Sequence, residues 1–149
     1  MMNEPLRVRA QAESATGPVD SDLWAIAATK ARYFRFMDLK QWTDMRQLFT
    51  TTATFEHPTI GTFSNIEDAI DAVANALEGF WTAHEAGIPD ISLHSADRAT
   101  AVFAMSSTST PPGHASFART FGHYYDTFSR EHGDWKIESL KLVSSYRDL

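Results

Sequence analysis

The sequence predicts an α+β domain, with helices packed on one side of a curved, mainly antiparallel sheet. Three observations carry that prediction. Up to Trp81 the apolar residues recur mostly every three or four positions, the period of a helix. Beyond Gly87 they alternate with polar or small residues, the period of a strand. No repeat or linker separates the two halves, so helices first and strands later belong to one packed unit.

The elements follow in order. Met1 to about Val19 is polar, small and punctuated by Pro and Gly, and is expected to be a flexible tail. The folded domain then spans 20–149. Asp20 or Ser21 caps a first helix, whose apolar face is Leu23, Ile26, Ala27, Tyr33, Phe34 and Met37 and which ends near Asp38. A short second helix places Trp42, Met45, Leu48 and Phe49 on one side. The Thr-rich run Thr51 to His57 reads as a strand stopped by Pro58.

A third helix opens on Ser64-Asn65-Ile66-Glu67, which fits a capping box with Ser64 as the cap. Its apolar face runs Ile66, Ala69, Ile70, Val73, Leu77, Phe80 and Trp81. Strands follow around Ile91–Leu93 and Ala101–Met105. Thr110-Pro111-Pro112-Gly113 forms a turn. Phe117, Phe121, His123 and Tyr125 share one parity of a long strand. Glu131-His132-Gly133-Asp134 joins it to a last strand from Trp135 to about Tyr146.

Composition excludes several functions. The chain has no cysteine, which removes disulfides, thiolate metal sites and a cysteine nucleophile. A net charge of −6 is a poor match for nucleic-acid phosphates or anionic membranes. No apolar run approaches the roughly 20 residues of a membrane span, and the N-terminus lacks the apolar core of a signal peptide. A cytoplasmic protein is expected. His57, His94, His114 and His132 fall into no metal-binding spacing, and glycine-rich nucleotide loops and G-x-S-x-G are absent. Neither a metal nor an organic cofactor is expected.

Four residues are candidates for chemistry. His84 continues the inward stripe of the third helix at Leu77, Phe80 and Trp81, as a core histidine or as a proton carrier. Asp38 stands at the wrong helix end for the macrodipole, as a solvated terminus or as a carboxylate that orients an imidazole. Tyr33 lies on the apolar face of the first helix, as a core residue or as a hydrogen-bond donor to a developing oxyanion. Tyr33 and Asp38 are about 140° apart on an unbroken helix, so they share a pocket only if the helix bends or the pocket wraps around it. His123 faces the concave side if Phe121 does, and solvent otherwise.

Longer motifs add a family. Arg32-Tyr33-Phe34-Arg35-Phe36-Met37-Asp38-Leu39-Lys40-Gln41-Trp42 resembles the first-helix signature of SnoaL-like proteins in the nuclear-transport-factor-2-like superfamily. Thr82-Ala83-His84 before Ile88-Pro89-Asp90-Ile91 matches its histidine segment, and Tyr125-Asp126-Thr127-Phe128 with Gly133-Asp134-Trp135-Lys136-Ile137 its C-terminal hairpin. Within the superfamily the likeness is greatest to the bile acid 7α-dehydratase and scytalone dehydratase groups.

The resemblance implies a cone-shaped barrel of curved sheet closed by the N-terminal helices. It implies a cofactor-free lyase of the dehydratase type, with an Asp38–His84 base, an assisting Tyr33, and His123 on the long strand. The Phe, Trp, Tyr and Met residues available to line a pocket point to a small apolar, ring-containing carbonyl or hydroxy substrate. An isomerase, a polyketide cyclase and a non-catalytic binding domain share the fold. The superfamily also implies a homodimer or homotrimer.

Overall fold

The structure is a computed structural model and describes residues 18–148. Most of the expected tail, residues 1–17, lies outside the described residues. Helix α1 (Pro18–Asp38) begins two residues before Asp20 and runs without interruption to Asp38. Its buried face is Ile26, Thr29, Lys30, Tyr33, Phe34 and Met37, a stripe with helical spacing. Helix α2 (Trp42–Arg46) is shorter than expected. Leu48 and Phe49 leave it, and Phe49 opens strand β1 (Phe49–His57). A three-residue strand, β2 (Gly61–Phe63), pairs with the end of β1 through Phe55–Phe63 and His57–Gly61; alternation over so short a span leaves little signal in sequence.

Helix α3 (Ile66–Ala76) corrects the expected cap. Asn65, not Ser64, is the capping residue: its side-chain oxygen accepts the backbone N–H groups of Glu67 at 2.8 Å and Asp68 at 3.2 Å. The helix also ends earlier than its apolar stripe suggests. Gly79 has φ +72, a left-handed backbone that breaks the helix. Trp81 therefore opens a strand, β3 (Trp81–Ala86), rather than closing a helix turn. The remaining strands are β4 (Asp90–Leu93), β5 (Arg98–Thr110), β6 (Ala118–Glu131) and β7 (Asp134–Arg147).

All seven strands form one sheet, in the order β2-β1-β7-β6-β5-β3, with β4 beside β3 on the same edge of β5. The pairing is antiparallel except between β1 and β7. His132 and Gly133, at φ 51 and 87, make the two-residue turn between β6 and β7. Paired positive φ values match the right-handed twist of the flanking strands. The β6–β7 register shifts at Phe121/Gly122 and at Thr127/Phe128, and such irregularities bend long strands. The result is a coiled sheet, not a closed barrel: no strand pair joins β2 to β3 or β4 among the described residues. Helix α1 lies across the concave side against β3 and β7.

The core between α1 and the sheet is rich in rings, with Tyr33, Phe34, Phe55, Phe103, Tyr124 and Phe128 all buried. The far end of α1 is tied down by Asp22. Its Oδ1 accepts from Arg130 Nη2 at 2.5 Å and from Trp135 Nε1 at 3.0 Å. These donors hold the Asp22 carboxyl below its usual pKa, the Trp135 hydrogen bond contributing most. A carboxyl with a depressed folded pKa stabilises the fold above the ordinary value of about 4, and that contribution vanishes as pH falls through the folded value. Asp22→Asn should therefore be less stable than the parent at pH 6, with the gap closing toward pH 3, as read from urea midpoints. A gap that does not change with pH would contradict the assignment.

Candidate active site

Asp38 ends α1 and faces His84 on β3. His84 Nδ1 and Asp38 Oδ1 are 2.6 Å apart. Asp38 Oδ2 accepts the backbone N–H of His84 at 2.9 Å, and Oδ1 also accepts the Thr82 hydroxyl at 2.9 Å. The carboxylate thus binds the imidazole and the strand that carries it. Burial pushes the Asp38 pKa up, but hydrogen bonds from the ring and backbone of His84 and from Thr82 outweigh it, and the net pKa is lowered. An ionised Asp38 at Nδ1 makes that nitrogen the donor and leaves Nε2 as the ring's basic atom.

His84 faces inward for a different reason from the one its spacing suggested. On β3 the side chains alternate, so Thr82 and His84 share the inner face while Trp81 and Glu85 are exposed. The imidazole stacks on Phe34, with centroids 5.7 Å apart and planes at 15°. Beside it a groove of about 460 Å³ is lined by Ala31, Phe34, Arg35, Asp38, Leu39, His84 and Ala86. A larger cavity of about 520 Å³ opens on the Ala25, Thr29, Arg32 and Phe36 stripe of α1 and holds no histidine.

Tyr33 and His123 are not brought to this groove. Because α1 is one uninterrupted helix to Asp38, Tyr33 projects about 140° away from the carboxylate. It is 1% exposed and packs against Phe34, Phe49 and Tyr124. Burial and contact with the Tyr124 phenol hold its pKa well above that of free tyrosine. His123 lies on the outer face of β6. The placement of His123 in the site is corrected: alternation along β6 buries Gly122, Tyr124 and Asp126 on the side that faces α1 and leaves Phe121, His123 and Tyr125 exposed on the outer side.

Several residues near the dyad carried no motif. Lys40 donates from Nζ to Thr82 Oγ1 at 3.0 Å. His57 shares the inner parity of β1 with Ala53 and Phe55 and stacks on Phe55 at 6.2 Å and 9°. Its Nδ1 accepts the backbone N–H groups of Thr59 at 3.2 Å and Ile60 at 3.3 Å, so its proton is on Nε2. Burial, together with the charges of His84 and Arg147, lowers the His57 pKa to about 4. This ring is a neutral N–H donor at neutral pH. Strand parity with Phe55 was its one signal in sequence. Deeper in, Lys30 and Asp126 pair at 2.7 Å with 1% and 0% side-chain exposure. Among the described residues, no three His, Asp or Glu side chains gather as a metal-holding group, and no helix is long and apolar enough to cross a membrane.

A helix-backed coiled sheet with an Asp–His pair at its edge places the chain among cone-shaped α+β domains. The SnoaL-like domain profile matches residues 21–141, and the chain belongs to that family. Named relatives span several reactions. The chain is 25% identical over 134 residues to "Probable cyclase FGR4" of Gibberella zeae, covering 81% of this chain and 89% of that protein. The solved "Putative Scytalone Dehydratase" of Novosphingobium aromaticivorans superposes with TM-score 0.78 at 19% identity, over 89% of this chain and 90% of the other. Hexachlorocyclohexane dehydrochlorinase LinA-type3 of Novosphingobium barchaimii gives TM-score 0.79 at 18% identity, over 88% and 91%. At these identities the two structures establish the shared fold.

Proposed function

We propose that this chain is a cofactor-independent lyase of the dehydratase type, acting on a small apolar, ring-containing carbonyl or hydroxy compound. The observation that carries the reading is the 2.6 Å contact between His84 Nδ1 and Asp38. It leaves Nε2 as a base whose protonated form the carboxylate stabilises. His84 removes a proton from the carbon next to a carbonyl. The His57 ring keeps its proton on Nε2 and stays neutral near pH 7, because burial lowers its pKa to about 4, and we propose it as the donor to the oxygen on which charge develops. The β-hydroxyl then leaves with the C–O electron pair and takes the proton held on His84, so that water departs and the imidazole is neutral again. Tyr33 supports the dyad through its packing on Phe34, which stacks on His84.

The test follows proton abstraction rather than a guessed product. A panel of cyclic β-hydroxy ketones is incubated in D₂O, with α-deuterium exchange read by nuclear magnetic resonance and loss of water by mass. Exchange that His84→Ala lowers by about 10²-fold or more supports the base. Exchange unchanged in His84→Ala removes it.

Two other readings have their own support. The cyclase-named relative favours ring closure by the same base; exchange without loss of water would select an isomerase or cyclase. The ring-filled core favours a binding domain that holds a ligand only in the groove. Ligand affinity untouched by His84→Ala, with no turnover of any bound compound, would select it.

We also propose self-association, as a dimer or trimer, through the outer face of the sheet. Phe121, Tyr125, Val143 and Tyr146 are 39–54% exposed there on adjoining strands, a grouping larger than scattered surface residues require. Light scattering at micromolar concentration should give a multiple of the chain mass. A sharp monomer would exclude it.

A further inference from the structure

A lysine and a threonine extend the dyad on the far side of Asp38. Lys40 lies just past α1 with φ 58, a left-handed backbone that lysine rarely adopts. Its N–H donates to the Met37 carbonyl at 3.1 Å, turning the chain back. The side chain crosses to β3, where Nζ donates to Thr82 Oγ1 at 3.0 Å. Thr82 is 5% exposed. Its hydroxyl has one proton and accepts from an ammonium that can only donate, so the proton is directed at Asp38 Oδ1, 2.9 Å away. That oxygen is the one His84 Nδ1 meets at 2.6 Å. One carboxylate oxygen therefore lies between an imidazole and a cation relayed by a hydroxyl.

This arrangement answers a difficulty in the dyad. A carboxylate in contact with an imidazole favours the imidazolium. An imidazolium cannot accept a proton, so a strong Asp partner by itself pushes the base toward its inactive form at neutral pH. A cation on the far side of the carboxylate opposes that pull, and the Thr82 hydroxyl draws charge toward itself. The other charged or titratable groups facing the dyad do not duplicate this. Arg35 lines the groove with His84 but makes no ion pair with a carboxylate among the described residues. His57 stays neutral on β1, Tyr124 on β6 is a buried phenol, and Glu85 on β3 is exposed on the opposite face.

We propose that Lys40, acting through Thr82, is a positioning residue that fixes Asp38 and sets the pH above which His84 is free to act as a base. The inference rests on the dyad reading and adds the residue that regulates it. Its test reads no turnover. The His84 imidazole of the full-length chain is titrated by nuclear magnetic resonance in the parent and in Lys40→Met, Lys40→Arg, Thr82→Val, Thr82→Ser and Asp38→Asn. Lys40→Met and Thr82→Val are both expected to raise the His84 midpoint, by roughly half to one pH unit. Lys40→Arg and Thr82→Ser, which keep the charge and the hydroxyl, should return it near the parent value. Asp38→Asn should lower it.

A purely structural Lys40 would leave the midpoint in place when the fold is intact. Unmoved midpoints in Lys40→Met and Thr82→Val, beside a lowered one in Asp38→Asn, overturn the role of Lys40 and spare the dyad. An unmoved midpoint in Asp38→Asn overturns the dyad itself. If Lys40→Met does not fold, Thr82→Val against Thr82→Ser decides the inference alone.

Discussion

Lys30→Ala and Asp126→Ala should each destabilise the fold by about 3–5 kcal/mol, the usual cost of removing one partner from a buried ion pair. The two side chains are 1% and 0% exposed and 2.7 Å apart. The ammonium also lies over the Tyr124 ring, 3.4 Å from its centroid, with Tyr33, Phe34 and Phe103 within 5.5 Å. Burial pulls the Lys30 pKa down to about 8 although Asp126 pulls it up. Burial likewise raises the Asp126 pKa against the pull of Lys30. Each group therefore stays charged mainly because of the other. Without Asp126 the amine has four rings and no carboxylate; without Lys30 the carboxylate has no cation. A typical domain has only about 5–15 kcal/mol in total, so either variant will sit near its unfolding threshold at 37 °C.

The double replacement Lys30→Met with Asp126→Leu should cost much less than the sum of the singles, because two desolvated charges leave together. Urea denaturation of the parent, Lys30→Met, Asp126→Leu and the double replacement forms the cycle. Single-variant losses under about 1 kcal/mol would contradict the buried-pair account.

Asp38→Asn should lower the rate of proton abstraction by roughly 10²- to 10⁴-fold. Asp38 accepts three hydrogen bonds, from Thr82 Oγ1, the His84 backbone N–H and His84 Nδ1. An ionised carboxylate is an acceptor at both oxygens, whereas an asparagine has one acceptor oxygen and an NH₂ group. Whichever way the amide turns, a donor faces a donor, or the imidazole loses the partner that keeps its proton on Nδ1. The stabilisation of the imidazolium is lost in either case. The effect on stability should be smaller, because the Asp38 side chain is still 23% exposed and water can satisfy part of what is lost. Exchange rates and urea midpoints on the same preparation separate the two effects. A variant that lost stability but kept its rate would mark Asp38 as structural.

Much of this protein could be read from its residues alone. The stripe Ile26, Tyr33, Phe34, Met37 placed α1, and the alternation from Ile91 onward placed the sheet, because burial on one face imposes a fixed period on any chain. His132-Gly133 marked the hairpin, since both positions need positive φ. Motif order points to Asp38 and His84, but it records only spacing along the chain. Their 2.6 Å contact depends on where β3 meets the end of α1, and no local period encodes that.

Tertiary structure decided the rest. Gly79 ended α3 and turned the His84 segment into a strand, so an inward position inferred from helical spacing was reached by alternation instead. The unbroken course of α1 separated Tyr33 from Asp38. His123 fell on the outer face because Lys30 on α1 and Asp126 on β6 met inside. A lysine and an aspartate 96 positions apart look solvated in sequence, and only packing shows that each removes the reason to exclude the other. The same holds for Lys40 and Thr82, 42 positions apart and joined at 3.0 Å. Polar side chains carry no period, so their partners are chosen by the fold rather than by their neighbours along the chain.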